Sequence, residues 1–247
     1  MSQTRRFKEA DELYTALTTR DLDNHLALFY RSEAEQRSAI VEYLRSGLNC
    51  NYSCLYIADE HDPADIAEWL SGAGIPVDDL RQNGALTILD ASDVYGADEF
   101  DPVETVRSFE GLADDATTEG YDGLFAAGEN TWGFDVIEDL EGMIEFEHNF
   151  DARAEELPAT AVCQYDIDQF DDSVLADALQ VHSQIIWDGE LIENPYYVPT
   201  GESEEDDTEG TAELLLNQSR DISRSRQAVE HREDRLSVVN RVLRHNL

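Results

Sequence analysis

Few side chains in this sequence have the chemistry to bind or react, and they are spaced far apart. His25, Cys163 and His182 supply two imidazoles and a thiol, groups that ligate metals and move protons. Taken singly, each reads as a core residue satisfied by its neighbours. Taken together they form a metal set only if the fold makes them converge, which spacing does not show, so no metal ligand is assigned. A second group lies in Gly128-Glu129-Asn130-Thr131-Trp132. There a glycine permits close approach, a carboxylate and an amide offer hydrogen bonds, and an indole offers an apolar wall, the usual makings of a small-molecule pocket. The other reading of this segment is a loop whose Trp132 plugs the core. Tyr30 and Tyr165 complete the candidates.

The elements that must position these groups follow from periodicity. Short apolar runs at 25–30, 54–58, 86–89, 123–127 and 161–165 alternate with helix-like stretches at 32–48, 63–73, 102–119 and 134–157. Such alternation predicts βαβ units and a mainly parallel sheet flanked by helices, an α/β fold. Ser32-Glu33-Ala34-Glu35 reads as a capping box, with Ile40, Val41, Leu44 and Leu48 on the buried face behind it. In such sheets ligands bind beyond the carboxyl ends of the strands. The residues there are Tyr30, Asp59, Glu60, Asp90, Glu129 to Trp132 and Tyr165. His25 opens its strand at the opposite end from Tyr30, which argues against one site holding both. Residues 193–197, Glu-Asn-Pro-Tyr-Tyr, read as a turn and final edge.

The turn after the first strand is where a nucleotide-binding α/β protein carries its phosphate loop, with glycines for backbone approach and a lysine for the phosphates. Tyr30-Arg31-Ser32-Glu33-Ala34-Glu35 contains neither, and Lys8, the only lysine, lies upstream. Glu33 and Glu35 also occupy the helical turn that a phosphate would claim. Classical ATP binding is not expected here. GxSxG, HExxH and CxxC motifs are absent, and no catalytic residue or cofactor is assigned.

Charge sets the environment. The chain has 55 acidic residues against 17 basic ones, a formal net charge of −38. Residues 1–210 hold 50 acids and 10 bases, and residues 211–247 hold 5 and 7. A folded surface so charged repels itself in dilute salt, and screening shortens to about 3 Å at 1 M. The composition therefore points to a salt-rich cytoplasm, the other reading being an acidic protein with a disordered tail. Nucleic acid is excluded as a partner by repulsion from its phosphates. Three cysteines, no signal peptide and no long apolar run predict a cytoplasmic protein with no membrane partner.

Four regions are expected: an N-terminal helix over 1–23, a main domain over 24–200, an acidic linker over 201–210 and a C-terminal helix over 211–247. In the last, Leu215, Ile222, Val229, Leu236 and Leu243 recur at sevens. That predicts a coiled-coil-like helix and a homodimer through 211–247. The companion positions, Gln218, Ser225 and Arg232, leave open an amphipathic helix docked on the main domain.

The segments at 25–30, 128–132, 163–166 (Cys-Gln-Tyr-Asp) and 194–197 (Asn-Pro-Tyr-Tyr), with His182 before the last, resemble the successive motifs of MEDS domains, the methanogen/methylotroph DcmR-type sensory domains. The resemblance covers about residues 20–200. It implies a RecA/KaiC-like fold with a degraded phosphate loop and the sensing of small organic molecules. The tail, Arg235 to Leu247, resembles the phosphoacceptor helix of haloarchaeal-type histidine kinases, with His245 at the phosphorylated position. That implies a response regulator or a separate kinase catalytic domain as partner. The chain stops two residues after His245, so it reads as a fragment or truncated relative without its own catalytic domain. The expectation is the sensory module of a two-component histidine kinase, not an enzyme. A RecA-like ATPase and a dimeric scaffold that binds no small molecule are the alternatives.

Overall fold

The computed structural model describes residues 3–95, 100–131, 141–154, 156–199 and 211–245. In chain order these contain α1 (Gln3–Thr19), β1 (His25–Tyr30), α2 (Glu33–Asn49), β2 (Ser53–Ala58), α3 (Pro63–Gly72), α4 (Val77–Gln82), β3 (Leu86–Asp90), α5 (Ala91–Tyr95), α6 (Pro102–Glu119) and β4 (Leu124–Glu129). Then follow α7 (Glu141–Ala154), β5 (Ala159–Asp166), α8 (Asp172–Val181), β6 (Gln184–Trp187), β7 (Glu190–Glu193) and α9 (Ala212–His245).

The strands form one seven-stranded sheet in the order β3-β2-β4-β5-β1-β6-β7. All neighbours are parallel except β6 and β7. Its inner strands are buried along nearly their whole length because helices cover both faces. Alternation divides the core in two. Leu26, Leu28, Tyr30, Tyr56, Phe125 and Val162 meet the apolar sides of α1 to α4. Ala27, Phe29, Ala126, Cys163 and Tyr165 meet α5 to α8 and the first turns of α9. Helix α2 lies especially close to the sheet: a Cβ on Gly47 would fall 2.7 Å from the Phe125 ring.

Register places the candidate residues. Ala27 pairs with Cys163, which also pairs with Gly128, and Glu129 pairs with Gln164. β4 runs two residues beyond the expected run, so Glu129 is the last residue of a strand and not part of the following loop. Glu141–Ala154 falls within the expected helix 134–157, of which 134–140 lie outside the described residues.

One expectation needs correction, and two further features were not expected. The capping box does not close: Ser32 caps nothing with its side chain, and Glu35 accepts from the Arg31 N–H at 3.0 Å. Two strands, β6 and β7, went unread; they are too short to show periodicity and join through Asp188 and Gly189, both at positive φ (54° and 77°). An Asp-Gly pair is the favoured tight hairpin connection. Finally, Leu215 of the heptad stripe is 3% exposed, buried with Ala212 and Leu216 in the chain's own core. The start of α9 is thus docked, while Ile222 and Val229 are exposed at 39% and 57%.

Candidate functional site

Two polar clusters lie on opposite faces of the sheet. The first is at the carboxyl edge, above β2, β4 and β5. Glu129 is 1% exposed, and both of its oxygens are engaged. Oε1 accepts from Tyr56 Oη at 2.7 Å and faces His61 Nδ1 at 2.9 Å, with Gln36 Nε2 at 3.3 Å. Oε2 accepts from the Asp59 and His61 backbone N–H groups at 2.8 and 3.2 Å. Gln164 links Gln36 to Tyr56. Burial alone would raise the Glu129 carboxyl; the hydrogen bonds from His61, Asp59 and Tyr56 outweigh it and hold it below its ordinary value. His61 is raised, first by its hydrogen bond to Glu129. Tyr30 lies on the same face, its phenol pushed up by burial and by the nearby Glu60, Asp166 and Glu129 carboxylates.

The second cluster lies under the sheet, between β1, β5, α7 and α8. At its centre is Glu147 of α7, fully buried. Its Oε1 accepts from Tyr165 Oη at 2.6 Å and Asn130 Nδ2 at 2.7 Å. Its Oε2 faces His25 Nε2 at 3.0 Å, Cys163 Sγ at 3.4 Å and His182 Nε2 at 3.6 Å. His25 and His182 have ring centroids 4.0 Å apart. His25 Nδ1 faces Asp151 Oδ1 at 3.6 Å, and His182 Nδ1 donates to the Ala178 carbonyl at 2.6 Å. Burial opposes charge on every group here, yet the His25 imidazole, held by Asp151 and Glu147, is raised. Glu147 is drawn down to about 2 by its hydrogen bond to His25 and by the two imidazoles, against the effect of burial. Burial and the positive charge of His25 lower His182 to about 3, so it is neutral. Burial and the Glu147 charge push the Cys163 thiol far up.

A cavity of about 20 Å³, room for one water, adjoins this cluster. Phe109, Phe146 and Phe150 wall it, and Asn130 and Cys163 are its polar lining.

His25, Cys163 and His182 therefore do converge, and Tyr165 and Asn130 join them through Glu147. Tyr30 is at the other end of β1, as expected, and also on the other face of the sheet. Asn130 and Glu129 diverge because successive residues point to opposite sides of a strand. Trp132 lies outside the described residues, as does the His245 side chain.

Sequence reasoning missed Glu147, Gln36, Tyr56, His61 and Gln164. For Glu147 a signal existed: Met143, Phe146 and Phe150 form the buried stripe of α7, and a carboxylate falls beside it, four residues after Met143 and three before Phe150.

No helix among the described residues is long and apolar enough to cross a membrane. No curated protein matches the chain. The family profile for MEDS, the methanogen/methylotroph DcmR sensory domain, matches residues 24–183, roughly two thirds of the sequence. That span contains β1 to β5, α8 and every residue of both polar clusters. With its mostly parallel sheet and these two clusters packed between strands and helices, the chain belongs to the MEDS family of sensory domains.

Proposed function

We propose that the protein is the small-molecule input module of a cytoplasmic two-component histidine kinase, with α9 as its output. The observation that carries the reading is the junction between the carboxyl edge and α9. Arg31, the first residue after β1, lies with its guanidinium 4.1 Å from the Trp187 ring centroid and pairs with Glu213 at 2.8 Å. Trp187 donates to Asn217, and Arg220 pairs with Asp188 at 2.6 Å. Displacing the turn at 30–33 therefore disturbs the root of a 34-residue helix directly. A ligand shifts that helix only through different affinities for its two positions.

In this reading the RecA/KaiC-like ancestry has lost its nucleotide function. Supporting it, the Glu35 carboxylate takes the Arg31 N–H that a phosphate loop would offer, and two further acids, Glu33 and Glu60, belong to the same edge. Ile222, on the outer side of the docked turns, and Val229, both exposed, support a homodimer continuing toward His245 as phosphoacceptor for a separate catalytic domain or a response regulator.

The test is calorimetry and thermal unfolding of the chain in molar KCl against small alcohols, amines, thiols and halocarbons. Spin labels at Val229 report the helix. A ligand that raises the melting temperature and changes the label separation is expected. A panel without effect, together with tight Mg-dependent binding of a fluorescent ATP analogue, would replace this reading with a nucleotide-binding one.

A further inference from the structure

The second cluster has the geometry of a metal centre. His25, Glu147, Cys163 and His182 are all buried and each offers one ligand atom within 4.8 Å of the others; His25 Nε2, Cys163 Sγ and His182 Nε2 all face Glu147 Oε2. We propose that this chain holds one zinc ion, or a cation of similar preference, between those four atoms.

The distances fit the ion. Zinc bonds of about 2.0–2.3 Å at tetrahedral angles put ligand atoms about 3.3–3.6 Å apart. His25 Nε2 to Glu147 Oε2 is 3.0 Å, Cys163 Sγ to Glu147 Oε2 is 3.4 Å, His182 Nε2 to Glu147 Oε2 is 3.6 Å, and Cys163 Sγ to His25 Nε2 is 3.7 Å. The widest pair needs to close by about 1 Å to reach ideal geometry.

The orientations fit independently. His182 gives its Nδ1 proton to the Ala178 carbonyl, so its Nε2 carries a lone pair. That lone pair is fully buried, has no hydrogen-bond partner, and faces a carboxylate oxygen, another acceptor. Two acceptors held 3.6 Å apart in a dry interior repel; the charged His25 satisfies Oε2 but leaves the His182 lone pair without a partner, and a cation between the groups would satisfy both. Hydrogen bonds fix His182 and Glu147 from behind, as in natural metal sites, and a carboxylate lies 3.6 Å behind His25. His25 Nδ1 faces Asp151, His182 Nδ1 faces a carbonyl, and Glu147 Oε1 takes Tyr165 and Asn130, which leaves Oε2 for the centre.

The charge fits as well. A thiolate and a carboxylate neutralise a divalent ion, and two neutral imidazoles complete the shell. Loading releases two protons to solvent, the Cys163 thiol proton and the one that His25 carries on Nε2. A nitrogen, sulfur and oxygen set of this kind suits zinc over magnesium or calcium, which take oxygen ligands. Four protein ligands close the shell, so the ion ties β1, β5, α7 and α8 together in the manner of a structural site. This inference does not depend on the sensory reading, since the ion can be present whether or not an organic ligand binds.

The test uses the full chain, stripped with chelator and reloaded with zinc or cobalt(II) alone in high salt. One ion per chain is expected, with a sulfur-to-cobalt charge-transfer band and the intense visible bands of tetrahedral cobalt. Cys163→Ser is expected to abolish the charge-transfer band and weaken zinc at least tenfold, whereas Cys50→Ser, at an exposed thiol, leaves both unchanged. X-ray absorption at the zinc edge of the unmutated chain needs no variant to fold. One sulfur with nitrogen and oxygen neighbours supports the site. Weak binding of several ions, or a shell without sulfur, means that zinc sits only on the acidic surface and overturns the proposal.

Discussion

Replacing Glu129 tests whether the carboxyl-edge cluster holds the turn at 59–61 in place. Glu129→Ala leaves the fully buried Tyr56 hydroxyl without its acceptor at 2.7 Å and removes the partner of His61. A buried polar group left unpaired costs about 1–3 kcal/mol, and breaking a buried ion pair about 3–5 kcal/mol. Water can replace Glu129 at the half-buried Asp59 and His61 amides, and the His61 side chain is 16% exposed, so the full sum is not reached. We expect about 3 kcal/mol for the alanine variant, a fall in melting temperature of about 6–12 °C for a chain this long. Glu129→Gln keeps one acceptor for Tyr56 but turns an amide NH2 toward donors, and about 1–2 kcal/mol is expected. Urea unfolding in molar KCl gives both values. NMR titration of His61 supplies a second readout: its raised pKa returns toward 6.5 in either variant. Losses under about 0.5 kcal/mol, the ordinary range of surface substitutions, together with an unmoved His61, would mean that Glu129 does not hold the turn.

Other expectations follow from the same physics. The Glu129 contribution is complete above its ordinary value of 4.5 and is lost as pH falls through its lowered folded value. The His61 contribution is complete below 6.5 and is lost as pH rises through its raised folded value. Unfolding free energy against pH should therefore show the pair at full strength between 4.5 and 6.5, and Glu129→Gln should flatten that feature. Gly123 stands at φ 155°, and a Cβ there would sit 2.2 Å from the Pro158 carbonyl oxygen. Gly123→Ala should cost about 3 kcal/mol by chemical denaturation. Arg31→Ala should cost only about 1 kcal/mol, the sum of an exposed ion pair and a ring contact, yet it should speed hydrogen exchange over 212–218; unchanged exchange there would remove Arg31 from the output route. Raising KCl from 0.1 to 1 M shortens screening from about 10 to about 3 Å, so a chain of net charge −38 should melt at markedly higher temperature. A flat response would argue against salt adaptation.

Much of the architecture was legible because its determinants are local. The apolar run at 25–30 matches β1 residue for residue, and α2, α3 and α6 begin within a residue or two of their expected positions. Strand and helix periods are set by neighbours along the chain. The hairpin at β6 and β7 was missed although Asp188-Gly189 marks it, since four residues are too few to display a period. The docking of α9 was half visible: the heptad stripe named Leu215 correctly as buried, but burial by the same chain and burial by a second chain leave one and the same pattern.

Residue order alone gave the alternating elements, the acidic composition, a turn after β1 without glycine or lysine, and the identity of the candidate groups. It kept His25 apart from Tyr30, because they stand at opposite ends of one strand and distance along a strand is a local property. Only the tertiary structure brought His25 to within 3.7 Å of Cys163, 138 residues away, and set Glu147 between them and His182. The order of parallel strands and the packing of α7 and α8 beneath them decide that meeting. Both depend on contacts between distant parts of the chain, which the spacing of residues along it does not encode.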